Sequence, residues 1–388
     1  MARRRDRVAF LTDLIARWEA LGRPFRAVPA WGAALLLALL AAGLAWSAWA
    51  VPADRAAREE RRGAVQVQIQ AQAPAGETGD LALYERINSR MAAGEGYYRA
   101  ALTEQRSHGY PTIPFVTVRT PVMAWGTLVI GQTGWRVVAI ALLIATTLAW
   151  VAASQARTLF VERAGAALLL FFAGSGAFLQ RVALLHDLLA GLCLSLAMAL
   201  YRPGRWWPSW IAAAAALAIR ELALPFVLLW AAFALVQRRW QEFAAVMALL
   251  ALFGLGMALH ASAVMAERLP GDQLSNGWDG MLGPALFLSS VAELMSPLIL
   301  LPPSLAGPLA LLCLVGWAGL GGPVGLFATL WFAGFALAMS LFARGNNFYW
   351  ALLVLPAYGA GLALAPRAVA DLVQRVRGSG LARQPSRV

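Results

Sequence analysis

Charge is scarce in this chain, and lysine is absent altogether. Charged residues make up 13% of the sequence, against roughly 25% in an ordinary soluble domain, and all 32 basic side chains are arginine. So few charges cannot coat a water-facing surface, and the 60% apolar content with a mean hydropathy of +0.63 calls for lipid as solvent. The two cysteines, Cys193 and Cys313, stand in apolar stretches with no partner at ligand spacing. That excludes a disulfide framework or thiolate metal site and leaves them as small core residues. Also missing is the strict alternation of a membrane barrel strand. The apolar stretches are long continuous runs, and in hydrocarbon a run must satisfy its own backbone, so helices are expected. The fold class that follows is all-α: a polytopic α-helical membrane protein with about ten transmembrane helices, within a range of about nine to eleven.

A net charge of +12 would suggest nucleic acid in a soluble protein. Here the excess lies at the two ends and in short loops between apolar runs, where arginine holds helix ends on the cytoplasmic side. No nucleic-acid partner is expected; membrane lipids are.

Three parts are expected. Residues 1–27 carry Arg3, Arg4, Arg5, Arg7, Arg17, Arg23 and Arg26, with Val8, Leu11, Leu14, Ile15 and Trp18 at helical spacing, and read as a cytoplasmic amphipathic segment. Residues 28–366 form the membrane domain, and 367–388 a basic cytoplasmic tail with Arg367, Arg375, Arg377, Arg383 and Arg387. The first apolar run, about Pro29 to Val51, is long enough to stay in the membrane as an anchor rather than a cleaved leader. Further spans are read near 136–153, 161–179, 185–201, 206–219, 222–237, 241–261, 303–320, 322–342 and 348–366. Arginines at 157 and 163, 202 and 205, and 238 and 239 fall in alternate loops. The stretch Met281–Leu301 fits either an eleventh span or a helix in the outer interface. The basic tail argues for an even number of crossings and so for the interface.

The longest polar stretch, 52–120, then lies in the periplasm. Val65–Gln72 alternates like a short strand, Pro74–Gly79 reads as a turn, and Asp80–Arg106 returns to helical spacing in two short helices broken at Gly94. Ionisable residues at a membrane interface are costly unless paired or hydrated. The topology gathers Asp80, Glu95, Arg119, Arg181, His186, Asp187, Arg220, Glu221, Asp279 and Arg344 at that one level.

The segment GDLALYERINSRMAAGEGYY at 79–98, with HGYPTIPF and VRTPVMAW after it, resembles the first outer loop of the GT-C superfamily of lipid-linked sugar transferases. The closest branch is that of protein O-mannosyltransferases and the lipid A aminoarabinose transferase. Asp80, Tyr84, Met91, Gly94, Glu95 and Arg119-Thr120-Pro121 stand in the family's order, although the usual Asp-Glu pair is Asp80-Leu81 and the Pro-Pro pair is Thr120-Pro121. The resemblance covers 29–155 best. It implies transfer of a glycosyl unit from a polyprenyl-phosphate donor to a lipid, glycan or protein acceptor at the periplasmic face of a bacterial inner membrane. It also implies a catalytic base at Asp80, with Glu95 as the second candidate.

A lipid-phosphate leaving group suits the planar donors of arginine. Arg344, in ARGNNFYW, is the first choice, with Asn346, Asn347 and Tyr349 as neutral donors, and Arg220 and Arg119 next. Tyr84, Tyr98 and Glu221 complete the candidate substrate-binding set. Plainer roles stand beside these: Asp80 as a helix cap after Gly79, Arg220-Glu221 as a self-neutralising pair, His186-Asp187 as a cap, and Arg344 as an interface anchor. No cofactor is indicated, although a divalent ion occurs in part of the superfamily. The alternatives from other classes are a lipid or solute transporter or flippase, and a noncatalytic lipid-binding protein.

Overall fold

A computed structural model describes residues 12–70 and 79–381. The expected features at residues 1–11, in most of Pro74–Gly79 and at Arg383 and Arg387 lie outside the described residues. The chain is α-helical, and among the described residues the extended pairing amounts to one isolated bridge between Ile113 and Leu274. The main helices are α1 (Ala30–Gln70), α2 (Asp80–Ala92), α3 (Tyr97–Ser107), α4 (Val122–Ser154), α5 (Phe160–Ala173), α6 (His186–Leu200) and α7 (Trp207–Ile219). They are followed by α8 (Leu224–Val236), α9 (Trp240–Ala266), α10 (Pro284–Leu294), α11 (Pro303–Leu320), α12 (Gly322–Phe342) and α13 (Leu355–Leu381).

Five of these segments are long and apolar enough to cross a membrane: Ala30–Arg61, Phe115–Ser154, Trp240–Ala266, Pro303–Leu320 and Gly322–Phe342. A sixth arises if Gly345–Leu353 and Leu355–Gly378, bent by 75°, count as one. Four apolar helices, at His186–Leu200, Trp207–Ile219, Glu221–Val236 and Pro284–Leu294, are shorter than a span by themselves. At 1.5 Å per residue they fall well short of a hydrocarbon core of about 30 Å. The expected number of about ten is therefore not reached on length alone.

The apolar faces point outward. The span windows of α1 and α9 are only 17% buried inside the protein, and Leu39, Val129, Val137, Leu148, Leu255 and Leu337 stand exposed. Such a surface would be untenable in water and is ordinary against acyl chains. Inside, α11 and α13 cross backbone to backbone. A Cβ on Gly316 would lie 1.8 Å from the Gly361 carbonyl oxygen, and one on Gly361 would lie 2.1 Å from that of Cys313. Both positions therefore require glycine, the small-residue crossing that van der Waals packing favours in membranes.

Two sequence expectations change here. The alternation at 65–70 is not a strand, because α1 continues through it; each Gln and Val suits a solvated helix as well as an edge strand. Met281–Leu301 does not lie on an open surface. Its main helix, α10, has Leu286, Phe287, Leu288, Ser289, Ser290, Val291 and Ala292 all buried, enclosed by α1, α11, α12 and the Gly345–Leu353 segment. Arg58 of α1 reaches into this enclosure, hydrogen bonded to Asp54 (2.8 Å) and Ser289 (2.9 Å) and ion-paired with Glu293.

Candidate functional site

One end of the bundle is roofed by three connections. The first is the α2–α3 hairpin and the loop after it, whose small core is made by Leu83, Ile87, Met91, Tyr97, Leu102 and Val118. The second is the stretch between α9 and α10. It is stitched to the first by Thr112 N–H donating to the Gln273 carbonyl (3.0 Å) and Ser275 N–H to that of Ile113 (2.7 Å). The third is the 3₁₀ segment Gly345–Leu353. Met281 N–H donates to the Leu341 carbonyl (3.2 Å) beside it, and a Cβ on Gly280 would sit 2.0 Å from the Ala343 oxygen. That close approach needs glycine.

Beneath this roof lies a cavity of about 510 Å³. It gathers Asp80 and Tyr84 from α2, Arg119, Arg220 and Glu221 from the bundle's end, and Arg344, Asn347 and Tyr349 from before α13. With Asn346, which also lines it, these are nine of the eleven candidate residues singled out from sequence, drawn from four separated stretches. Two are not brought to it. Glu95, in the α2–α3 turn, pairs with Arg90 at 2.8 Å. The Tyr98 hydroxyl meets His260 Nδ1 at 3.2 Å on the outer side of the hairpin.

Arg119 is the hub. It donates to the hydroxyls of Tyr84 (3.0 Å) and Tyr349 (3.2 Å) and lies 3.5 Å from Glu221 Oε1, while its own carbonyl accepts from Tyr97 (2.6 Å). Arg220, only 1% exposed, donates from Nε to Asp187 (2.8 Å) and pairs with Glu221. Two guanidiniums thus face two carboxylates, and the quartet is neutral. Buried charges need this matching, since removing one partner strands the other. His186 stacks edge-on against Tyr84, ring centres 5.0 Å apart, and its Nδ1 sits 3.1 Å from the Leu184 carbonyl oxygen.

Arg344 differs. Its backbone N–H donates to Asn347 Oδ1 (3.0 Å), but its guanidinium lines the cavity and makes no hydrogen bond or ion pair among the described residues. Asp80 and Tyr110 line the same cavity. Burial first, then the Asp80 carboxylate, push the Tyr110 phenol up to about 12, so it stays protonated. Burial also raises Tyr84. The cavity therefore presents an acid in company with a neutral phenol and an arginine left free for an anion.

Sequence reading missed three members of this site. Asp187 was grouped with His186, yet it serves Arg220 across two helices. Tyr110 and the strip Gln273–Trp278 complete the wall; they sit in irregular loops, where no periodicity marks an inward-facing position. Of the remaining interfacial residues, Arg181 pairs with Glu85 at 2.9 Å and Asp279 is exposed. Among the described residues no three His, Cys, Asp or Glu side chains group so as to hold a metal ion. Comparison with protein-family models, with curated proteins and with solved structures finds no match.

Proposed function

We propose that this chain is a GT-C type glycosyltransferase that moves a sugar from a polyprenyl-phosphate donor to an acceptor at the periplasmic face of a bacterial inner membrane. The observation that carries the reading is the shared cavity of Asp80 and Arg344, an acid and an uncommitted guanidinium lining one space of about 510 Å³. In the proposed step the acceptor oxygen attacks the anomeric carbon. The new C–O bond forms as the bond from that carbon to the phosphate oxygen breaks; the acceptor proton passes to Asp80, and polyprenyl phosphate leaves carrying its charge. Arg344 receives that charge without needing to donate a proton, because a phosphate monoester is a stable anion. Asp80 and not Glu95 is assigned the base, since Glu95 is committed to Arg90 outside the cavity.

The same reading takes the number of crossings as about ten, with both termini cytoplasmic. Its support is where the short helices end. His186 opens α6, Ile219 closes α7 and Leu224 opens α8, all at the level of the Arg220 quartet. A reporter fusion after residue 345 tests sidedness: a cytoplasmic result removes Arg344 from a periplasmic site.

The chemical test uses purified protein with a panel of polyprenyl-phosphate hexoses, following release of polyprenyl phosphate in the presence of membrane extract as acceptor source. Asp80→Asn should lower turnover by about 10²–10⁴-fold, the usual contribution of a general base, with donor binding kept. Arg344→Ala should weaken donor binding and turnover together. Unchanged turnover in Asp80→Asn would sink the assignment, and headgroup translocation surviving in that variant would favour a transporter.

A further inference from the structure

The large cavity is divided by charge. Its five charged lining residues, Asp80, Arg119, Arg220, Glu221 and Arg344, are all half-buried or buried. Every lining residue that stands exposed is uncharged. Four of these carry recognition chemistry: Gln273, Asn276 and Trp278 from the stretch between α9 and α10, and Asn346 from the segment before α13. The inner part of the cavity is thus ionic, and its mouth is neutral.

Trp278 is 49% exposed and sits edge-on to the buried Trp350, ring centres 6.0 Å apart and planes at 83°. That contact steadies the indole without covering it. The backbone beside it is pinned as well, Ser275 N–H donating to the Ile113 carbonyl at 2.7 Å and Gly277 N–H to the Ser275 hydroxyl at 3.3 Å. The side-chain amides of Gln273, Asn276 and Asn346 make no hydrogen bond among the described residues. Each offers a carbonyl acceptor and an N–H donor a short distance apart, which suits a ligand whose groups both donate and accept. A hydroxyl does both from one oxygen, and a pyranose ring adds a flat row of C–H groups that an indole face can cover. An ionic ligand finds no counter-charge at this mouth, a hydrocarbon chain would strand the amides, and a peptide backbone brings no flat C–H face to the indole.

We propose that the mouth of the cavity is a binding site for a neutral saccharide, one sugar ring lying on Trp278 and its hydroxyls held by Gln273, Asn276 and Asn346. The role of that saccharide rests on the transferase reading, under which it is the acceptor: a glycan hydroxyl, and not a protein side chain or a lipid, receives the transferred sugar. The division of the cavity then has a use. The neutral mouth takes the acceptor, and the inner charges are left to the acid–base step and the donor phosphate.

The test is saturation-transfer NMR on the full chain in phosphatidylcholine nanodiscs, which bring no glycoside detergent. Maltotriose, mannotriose and chitotriose are the neutral probes, with trigalacturonic acid as the acidic comparator and trialanine as the peptide. At least one neutral trisaccharide should bind, and the acidic and peptide probes should not. Trp278→Ala should weaken that binding by about tenfold or more, as loss of a buried aromatic anchor does, while Trp278→Phe, which keeps a ring face, should hold most of it. Trp207→Ala removes an exposed indole at the opposite end of α7 from Ile219 and should change nothing. No signal from any neutral probe, equal binding of trigalacturonic acid or trialanine, or a Trp278→Ala protein that binds like the parent overturns the proposal. Binding is read here without turnover, so the two readings fail separately. Normal turnover in Asp80→Asn beside an intact saccharide signal sinks the transferase alone, and a missing signal beside collapsed turnover in Asp80→Asn sinks the saccharide site alone.

Discussion

At the cavity end, arginines are matched one for one by carboxylates brought from other helices, Arg220 by Asp187 and Arg119 by Glu221, and a single guanidinium, Arg344, is left facing open space. At the far end, one acid, Asp371, is shared between two arginines, Arg23 and Arg26, and Glu162 pairs with Arg367. The difference lies in depth. Around Arg220, 1% exposed, unmatched charge would face a low dielectric, so the sequence must supply counter-charges. At the far end, where Arg23 and Arg26 keep side-chain exposures of 33% and 52%, water can supply part of that screening.

That contrast breaks most sharply at Arg220. Replacing it with Met strands Asp187 and half of Glu221 in a buried site, a loss of about 3–5 kcal/mol when one member of a buried pair goes. The purified Arg220→Met protein should show a large fall in thermal midpoint, and the double variant Arg220→Met/Asp187→Leu should recover part of it. If the single variant melts like the parent, the quartet is not buried as described. A comparable cost, about 3 kcal/mol from overpacking, is expected for Gly361→Val. Its new side chain would run into the Cys313 carbonyl, whereas Gly334, with nothing within 4 Å of an added Cβ, should accept Ala without loss. At the far end Asp371→Asn should cost less, about 2 kcal/mol for weakened charged hydrogen bonds, because its two arginines are partly exposed. A midpoint drop equal to that of Arg220→Met would erase the difference between the ends.

How far such a map is legible in sequence depends on what marks each residue. Asp80, Arg119, Arg344 and Tyr349 are conspicuous because polar residues are rare in an apolar chain and cost energy there. Topology placed Asp80, Arg119 and Arg344 at one level, and their sharing of a cavity with Tyr349 is seen in the structure. The Asp187–Arg220 pair is a different matter, since two residues on neighbouring helices share no spacing rule. The alternation of Val65–Gln72 reads as a strand by period, whereas the helix α1 continues through Gln70. The stretches 185–201, 206–219 and 222–237 read as spans from their apolar runs, whereas the helices there, α6–α8, are shorter than a span by themselves.

The smallest effect concerns the roof, whose attachment is ionic and so can be titrated. Arg106 donates to both carboxylate oxygens of Asp272, at 2.6 and 3.1 Å, and Leu269 N–H donates at 3.0 Å. The Arg106 hydrogen bond, foremost, holds the Asp272 carboxyl below its ordinary 3.8. A depressed carboxyl stabilises its fold fully above the unfolded pKa, and that contribution fades as pH falls through the lower folded value. The stretch 268–275 should therefore keep its amide protection at neutral pH and lose it only at pH below about 4. Arg106→Gln should remove the acid dependence and leave that stretch exchanging faster at every pH, by the equivalent of about 1.5 kcal/mol, the low end for a charged hydrogen bond. Hydrogen exchange read peptide by peptide distinguishes this from global acid unfolding, because α11 and α13, joined through Gly316 and Gly361 rather than through charge, should stay protected in the same sample.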